Sequence, residues 1–296
     1  MNPRPSKFHK SPKKNDNRRP QNSNDRRPRP AKIRTTAAVS DSVRLNKYIA
    51  DSGLCSRRAA DQWIDEGRVT VNGRKVFELG VKINPKTDIV AVDKKPIHQK
   101  HKSFIYFVMN KPTQVLTSMS DPSGRQTVAD FFPKQKNKRL FPVGRLDWDS
   151  EGLLIMTNDG DYAQRVTHPK EEIPKTYHVK IDKELTEPKK QKLLSGVTIV
   201  GGKVKATEVF RMKKNMRGQK TFWVSITITE GKNRQVRRMF EKLEIDVVKL
   251  RRVAIGGLKL RSLKKGQILQ LTPEQAMRVF EKPAPKMRPL PFATRS

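Results

Sequence analysis

No apolar period runs through residues 1–42, and the first regular pattern of hydrophobic and polar positions begins at residue 43. Leu45, Tyr48 and Ile49 stand at i, i+3 and i+4, which predicts a short amphipathic helix that Gly53 is placed to end. Ser56 can cap a second helix whose apolar face is Ala59, Ala60, Trp63 and Ile64 and which stops at Gly67. "VTV", Asn72-Gly73 and "RKV" follow, a hairpin signal because Asn-Gly suits the two left-handed positions of a tight turn. Two helices and a hairpin predict a compact module over residues 43–92. The next stretch, "DKKPIHQKHKS" at 93–103, carries charge without apolar period and reads as a linker.

A second domain is expected over residues 104–281. "SFIYFVMNKP" has the continuous apolar run of a buried strand and ends at Pro112. "RLFPVGRLD" reads as another strand, and "GLLIMTNDGDYAQRVTHP" as a buried strand, a turn and a short helix. In "TFWVSITITEG" the pattern alternates, with Phe222, Val224, Ile226 and Ile228 on one face. After Gly231 the period changes: Val236, Met239, Phe240 and Leu243 repeat at i, i+3, i+4 and i+7, the stripe of a helix buried along one side. Strands and helices mixed in this order predict an α+β domain with a mixed, mostly antiparallel sheet. Residues 282–296, rich in Pro and basic residues, read as a flexible tail.

Charge changes the picture most. A formal net charge of +35 exceeds what solubility requires and predicts a polyanionic partner. Residues 1–42 form the extreme, a basic arm with too little apolar surface to order itself. In the first module Arg44, Lys47, Arg57, Arg58, Arg74 and Lys75 occupy polar positions and are candidates for one phosphate-binding face. The apolar stretch "GLLIM" falls far short of the roughly 20 residues needed to span a bilayer. The N-terminus lacks the apolar run of a secretory signal, so a cytoplasmic, RNA-bound protein is expected. Cys55 is the sole cysteine, which excludes an intrachain disulfide and a cysteine-rich zinc site. The five histidines show no metal-ligand spacing, and no phosphate loop, dinucleotide fingerprint or nucleophile elbow is present.

What remains is built from arginines and carboxylates. Arg234, Arg237 and Arg238 cluster at the start of the second domain's last long helix, where their charge opposes the helix dipole and needs an anionic partner. A protein carboxylate or an RNA phosphate would serve, and Glu230 and Glu241 are nearby in sequence. Asp147 is one candidate carboxylate, although an Asp beside glycines is most often a turn residue and Asp149 and Glu151 compete for any role.

Resemblance to known families narrows these choices. Residues 43 to about 90, with "RLNKYIADSGLCSRRAADQWI", resemble the S-four type of RNA-binding module. "GRLDWDSEGLLIMTNDGD", "KTYHVKI" at 175–181 and "TEGKNRQVRRM" at 229–239 resemble the motif set of pseudouridine synthases. With the module in front, residues 43 to about 281 are similar to the RsuA family of ribosomal RNA pseudouridine synthases. The resemblance implies that Asp147 is catalytic, that Tyr177 packs on the target base, and that Arg237 pairs with Asp147. It implies that Arg145 helps hold the target nucleotide out of its stack, and that Lys175, Arg234 and Arg238 contact RNA. Asp149 and Glu151 are left with turn and solvent roles. The "NKP" box at 110–112 also matches, with Gln114 where a glycine is usual. "SDPSGRQTV" at 120–128 looks more like the RluB-like branch acting on large-subunit RNA than the small-subunit branch. The expectation is a monomeric isomerase without metal or cofactor. A small-subunit enzyme and a non-catalytic ribosome-assembly factor are the alternatives.

Overall fold

The computed structural model describes residues 42–98, 103–133, 139–212 and 222–281. The basic arm through residue 41 and the tail at 282–296 lie outside them. The first module opens with β1 (Val43–Arg44) and α1 (Leu45–Asp51), which buries Leu45, Tyr48 and Ile49 as their spacing requires. In α2 (Arg57–Asp65) the Ser56 hydroxyl accepts the Ala59 amide at 3.1 Å, the expected cap. β2 (Val69–Val71) and β3 (Arg74–Lys75) form the hairpin, with Asn72 and Gly73 at φ of 51° and 78°. Both central residues are left-handed, the geometry that matches strand twist. β4 (Lys82–Ile83) pairs with β1, β5 (Val90–Val92) pairs with β2, and β6 (Lys95–Pro96) pairs with β5. Ile97 is buried in the same core as Ile49, Ile64 and Val90. The module therefore runs to Ile97, and residues 93–97, expected in the linker, are the turn and edge strand of its sheet.

The second domain begins with β7 (Tyr106–Lys111), β8 (Phe141–Val143), β9 (Ser150–Thr157) and α3 (Gly160–Thr167). β10 (Lys175–Ile181), α4 (Glu187–Ser195), β11 (Val197–Ile199), β12 (Gly202–Val204) and β13 (Glu208–Met212) follow. The chain then forms β14 (Phe222–Ile228), α5 (Gln235–Glu241), β15 (Val247–Ile255), β16 (Leu258–Lys259), β17 (Ile268–Leu271) and α6 (Pro273–Met277). The main sheet has the order β13-β14-β10-β15-β9-β7-β17, with β8 also on β9 and β16 on β15. Every pair in it is antiparallel except β9 with β15, which is the mixed, mostly antiparallel α+β arrangement expected.

The continuous apolar runs of β7 and β9 have a simple cause: both faces of these strands are covered. Phe107, Met109, Leu154 and Met156 enter one core with Val236, Met239 and Phe240 around α5. Their alternates Tyr106, Val108, Leu153 and Ile155 enter a second core with Tyr162 and Val166 of α3 and Ala276 of α6. Among the described residues no helix is long and apolar enough to cross a membrane.

Candidate active site

The parallel contact is the geometric centre of the site. Gly152 of β9 faces Arg252 of β15 so closely that a Cβ there would lie 2.2 Å from the Arg252 carbonyl oxygen. Gly152 also has φ of +114°, so both space and backbone conformation require glycine. Lys111 of β7 is opposite Gly152 on its other side, and Tyr177 of β10 is opposite Arg252. Lys111, Gly152, Arg252 and Tyr177 thus form one row across four adjacent strands. The loop carrying Asp147 leaves the sheet a few residues before that row.

This loop, residues 144–149, is fixed through its backbone. Gly144 turns it at φ of +73°, and Leu146 is buried as an anchor. The Thr117 hydroxyl donates to the Leu146 carbonyl at 2.7 Å and accepts the Leu146 amide at 3.2 Å. The Gln114 amide donates to the Trp148 carbonyl at 2.8 Å. Gln114 itself sits at φ of +61°, a left-handed conformation that glycine adopts more readily than a residue with a side chain. The Ser150 amide closes the turn onto the Asp147 carbonyl at 3.1 Å.

Lys111 completes the fastening. Fully buried at the end of β7, its ammonium donates to the carbonyls of Pro112 (2.9 Å), Asp147 (3.2 Å) and Ser150 (2.9 Å). Burial pushes its pKa down to about 8, against the opposing pull of the Asp147 and Asp149 carboxylates. The side chain of Asp147 remains half-buried, with Arg145 exposed before it and Trp148 exposed after it.

The arginine cluster meets a different carboxylate from the one expected. Arg237 of α5 donates through Nη1 to the Val247 carbonyl at 2.9 Å and through Nη2 to the Asp149 carbonyl at 3.1 Å. The same Nη2 lies 3.2 Å from the Asp149 carboxylate, which Arg234 also grips at 3.2 Å. Arg237 therefore pairs with Asp149 rather than Asp147. The turn closed by Ser150 directs the later carboxylate to the helix, although Asp147 is near enough for its charge to act on Arg237. Burial would raise the Asp149 pKa, but the Arg234 hydrogen bond and both guanidinium charges outweigh it and hold the carboxyl below its ordinary range.

Other expected site residues divide. Tyr177 is in the row and only 8% exposed, its ring set in the α5 core beside Val179. Lys175, expected on RNA, turns inward and donates to the carbonyls of Ile173 and Thr229 at 3.0 and 3.1 Å. Burial, with the Arg252 charge, pushes its pKa to about 8. Arg238 is half-buried, while Arg44, Arg57, Arg58, Arg74 and Lys75 are exposed on the first module. Lys47 is held between Asp51 at 3.1 Å and Asp161 at 3.0 Å, which withdraws it from a free basic face.

Glu151, expected in solvent, is 1% exposed and ion-paired with Lys265 at 2.6 Å and Lys249 at 3.4 Å. Arg252, which the motifs did not single out, is buried and donates from Nε to the Leu153 carbonyl at 2.8 Å. The "NKP" match was the available signal for Lys111. Nothing in the local spacing marked Arg252.

Comparison with known proteins gives the family. The model of the RNA pseudouridylate synthase family matches residues 105–242, and the S4 domain model matches residues 43–89. Ribosomal large subunit pseudouridine synthase B of Bacillus subtilis is 40% identical over 236 residues, covering 80% of this chain and 95% of that protein. The dual-specificity RNA pseudouridine synthase RluF of Escherichia coli is 35% identical over 241 residues, covering 81% of this chain and 79% of that one. A crystal structure of a pseudouridylate synthase superposes with a TM-score of 0.57 at 30% identity, covering 80% of this chain and 99% of the other. With the two family models matched in order along the chain, and a synthase 40% identical over 80% of it, the chain belongs to the RNA pseudouridylate synthase family, carrying an S4 domain at its front.

Proposed function

We propose that this enzyme isomerises a specific uridine of large-subunit ribosomal RNA, with Asp147 as the catalytic carboxylate. The observation that carries the reading is the fastening of the 144–149 loop. Its carbonyls at 146, 147 and 148 accept hydrogen bonds from Thr117, Lys111 and Gln114, at the end of β7 and in the stretch that follows it, and its carbonyl at 149 accepts one from Arg237 of α5, while the Asp147 side chain is left unfastened by any of them. A carboxylate presented on an immobilised loop is what a reaction needs when its reactive group must meet the substrate without reorganisation. The large-subunit substrate is supported by the 40% identity to a synthase named for it.

The chemistry needs no change of oxidation state. The glycosidic C–N bond breaks, the base turns, and a C–C bond forms between the same two partners, with a proton moving from carbon to nitrogen. The target base must first leave its stack, at a cost of a few kcal/mol. Stacking on an aromatic ring returns roughly 1–3 kcal/mol, the role assigned to Tyr177. Arg145, exposed beside Asp147, supplies a cation to hold the flipped nucleotide. The S4 domain through Ile97, with Arg44, Arg57, Arg58, Arg74 and Lys75, docks the RNA, and the enzyme works as a cytoplasmic monomer.

The test is Asp147→Asn and Asp147→Ala. Both should fold and bind ribosomal RNA as the parent does while forming no pseudouridine, and product at the parent rate would overturn the assignment. Carbodiimide mapping of ribosomal RNA from cells lacking the protein should show a stop missing in the large subunit. A missing stop in the small subunit would relocate the substrate. An unaltered pattern would leave a non-catalytic assembly role.

A further inference from the structure

We propose that Trp148 is an RNA-binding residue: its indole stacks on a base of the substrate strand next to the target nucleotide. The inference rests on Asp147 being the reacting centre, because Trp148 is its chain neighbour.

The three tryptophans of the chain differ sharply in their surroundings. Trp63 is half-buried and covered by the Arg68 guanidinium, 4.7 Å from its ring centroid. Trp223 is half-buried within β14. Trp148 is 40% exposed, a large apolar surface in water at the mouth of the site. Its backbone is held at the same time: its carbonyl accepts the Gln114 amide at 2.8 Å, and the residues on either side are tied to Lys111 and Arg237. A rigidly mounted, exposed indole costs hydration free energy in the unbound protein and has little entropy to lose when a partner covers it.

The surroundings favour a nucleic-acid base as that partner. Arg145 is exposed two residues before Asp147, on the opposite side in sequence, so the loop presents a cation, the acid and an aromatic ring in succession. Cations to hold phosphates with an aromatic face to receive a base are the two parts of a single-stranded RNA site. Flipping one nucleotide breaks the stacking of its neighbours, and the indole offers one of them a replacement surface. Tyr177, at 8% exposure and set in the core, is placed to meet one base only, which leaves the neighbouring base to Trp148.

The experiment uses the full chain with Trp63→Phe and Trp223→Phe, so that Trp148 is the single reporter. Its fluorescence is titrated with a 12-nucleotide oligoadenylate and with an abasic 12-mer of equal charge. Quenching by the first and not by the second is expected, because only the first has bases to stack. Equal quenching by both, or none by either, overturns the proposal. If the double variant does not fold, the parent-minus-Trp148→Phe difference signal gives the same reading.

Trp148→Ala should also weaken kcat/KM on large-subunit RNA about tenfold, with Trp148→Phe restoring most of it. Unchanged kcat/KM in Trp148→Ala refutes the role. The outcomes separate the two readings: active Asp147→Ala sinks the catalytic assignment, whereas failure of the quenching test with inactive Asp147→Ala removes Trp148 alone.

Discussion

Lys111 makes the reaction sensitive to pH at a value the structure fixes. As an ammonium it has three N–H donors, and three carbonyls receive them, one in the Asp147 loop and one on Ser150, the residue that closes it. Its pKa of about 8 means that the proton leaves well before that of an ordinary lysine, and a neutral amine has only two donors for the three carbonyls. One hydrogen bond to a charged group is worth about 1.5–3 kcal/mol. If the loop must be fastened in the transition state, its loss slows the reaction roughly 10- to 150-fold. Single-turnover pseudouridine formation from pH 6.5 to 9.5 should fall through about pH 8. Lys111→Met should be slow throughout and lack that step. Lys175→Met should retain it, since the two carbonyls served by Lys175 are satisfied by a neutral amine as well.

Stability should move the other way. The folded pKa lies below the ordinary 10.5, so between pH 8 and 10.5 the unfolded chain binds the proton that the folded one has released. The Lys111 contribution to stability therefore rises with pH across that window, by at most about 3 kcal/mol. Denaturant unfolding of the parent and Lys111→Met at pH 7 and 9.5 isolates it as a difference of differences. A rate profile flat to pH 9.5, or an alkaline fall that persists in Lys111→Met, would refute the reasoning.

Three further outcomes follow from the same geometry. Asp149→Ala strips Arg237 and Arg234 of their shared carboxylate; because that carboxylate is 41% exposed, the stability loss should be modest, about 1–2 kcal/mol by melting, but kcat should drop as the loop is left with only the Asp149 carbonyl bond to tie it to α5. Gly152→Ala drives a Cβ into the β15 backbone at a left-handed φ, and should lower stability by roughly 2–4 kcal/mol or prevent folding, read by thermal unfolding. Deleting residues 1–42, which hold 12 Lys and Arg against 3 Asp, should flatten the slope of log K against log salt in an RNA-binding titration.

Much of this fold was legible because its periods are strong. The stripe Val236, Met239, Phe240 and Leu243 could only be one side of a helix, and Asn72-Gly73 between two short β runs could only be a tight turn. Legibility ended where charge hid structure. Lys95–Pro96 is a two-residue edge strand with both side chains exposed, and the one buried residue after it, Ile97, gives no period to detect. Lys111 and Lys175 look like solvated strand ends, and their burial follows from carbonyls contributed by segments up to 54 residues away. The choice between Asp147 and Asp149 for Arg237 depended on how a turn directs two carboxylates separated by one residue. Motif order brought Asp147, Tyr177 and the arginine helix into one domain, but a pairing at that scale is set by backbone geometry, which spacing does not encode.

The row of Lys111, Gly152, Arg252 and Tyr177 also dictates when this enzyme can become one. Every strand pairing of the S4 domain closes within residues 43–97, so that module can be complete early in synthesis. The Asp147 loop depends instead on β15, about a hundred residues downstream, and β7 acquires its outer neighbour only with β17 at residues 268–271. A growing chain thus passes through a long interval in which the front module can be complete while the site behind it is not. Assembly of the site waits for the time the ribosome takes to deliver the second half of the sheet.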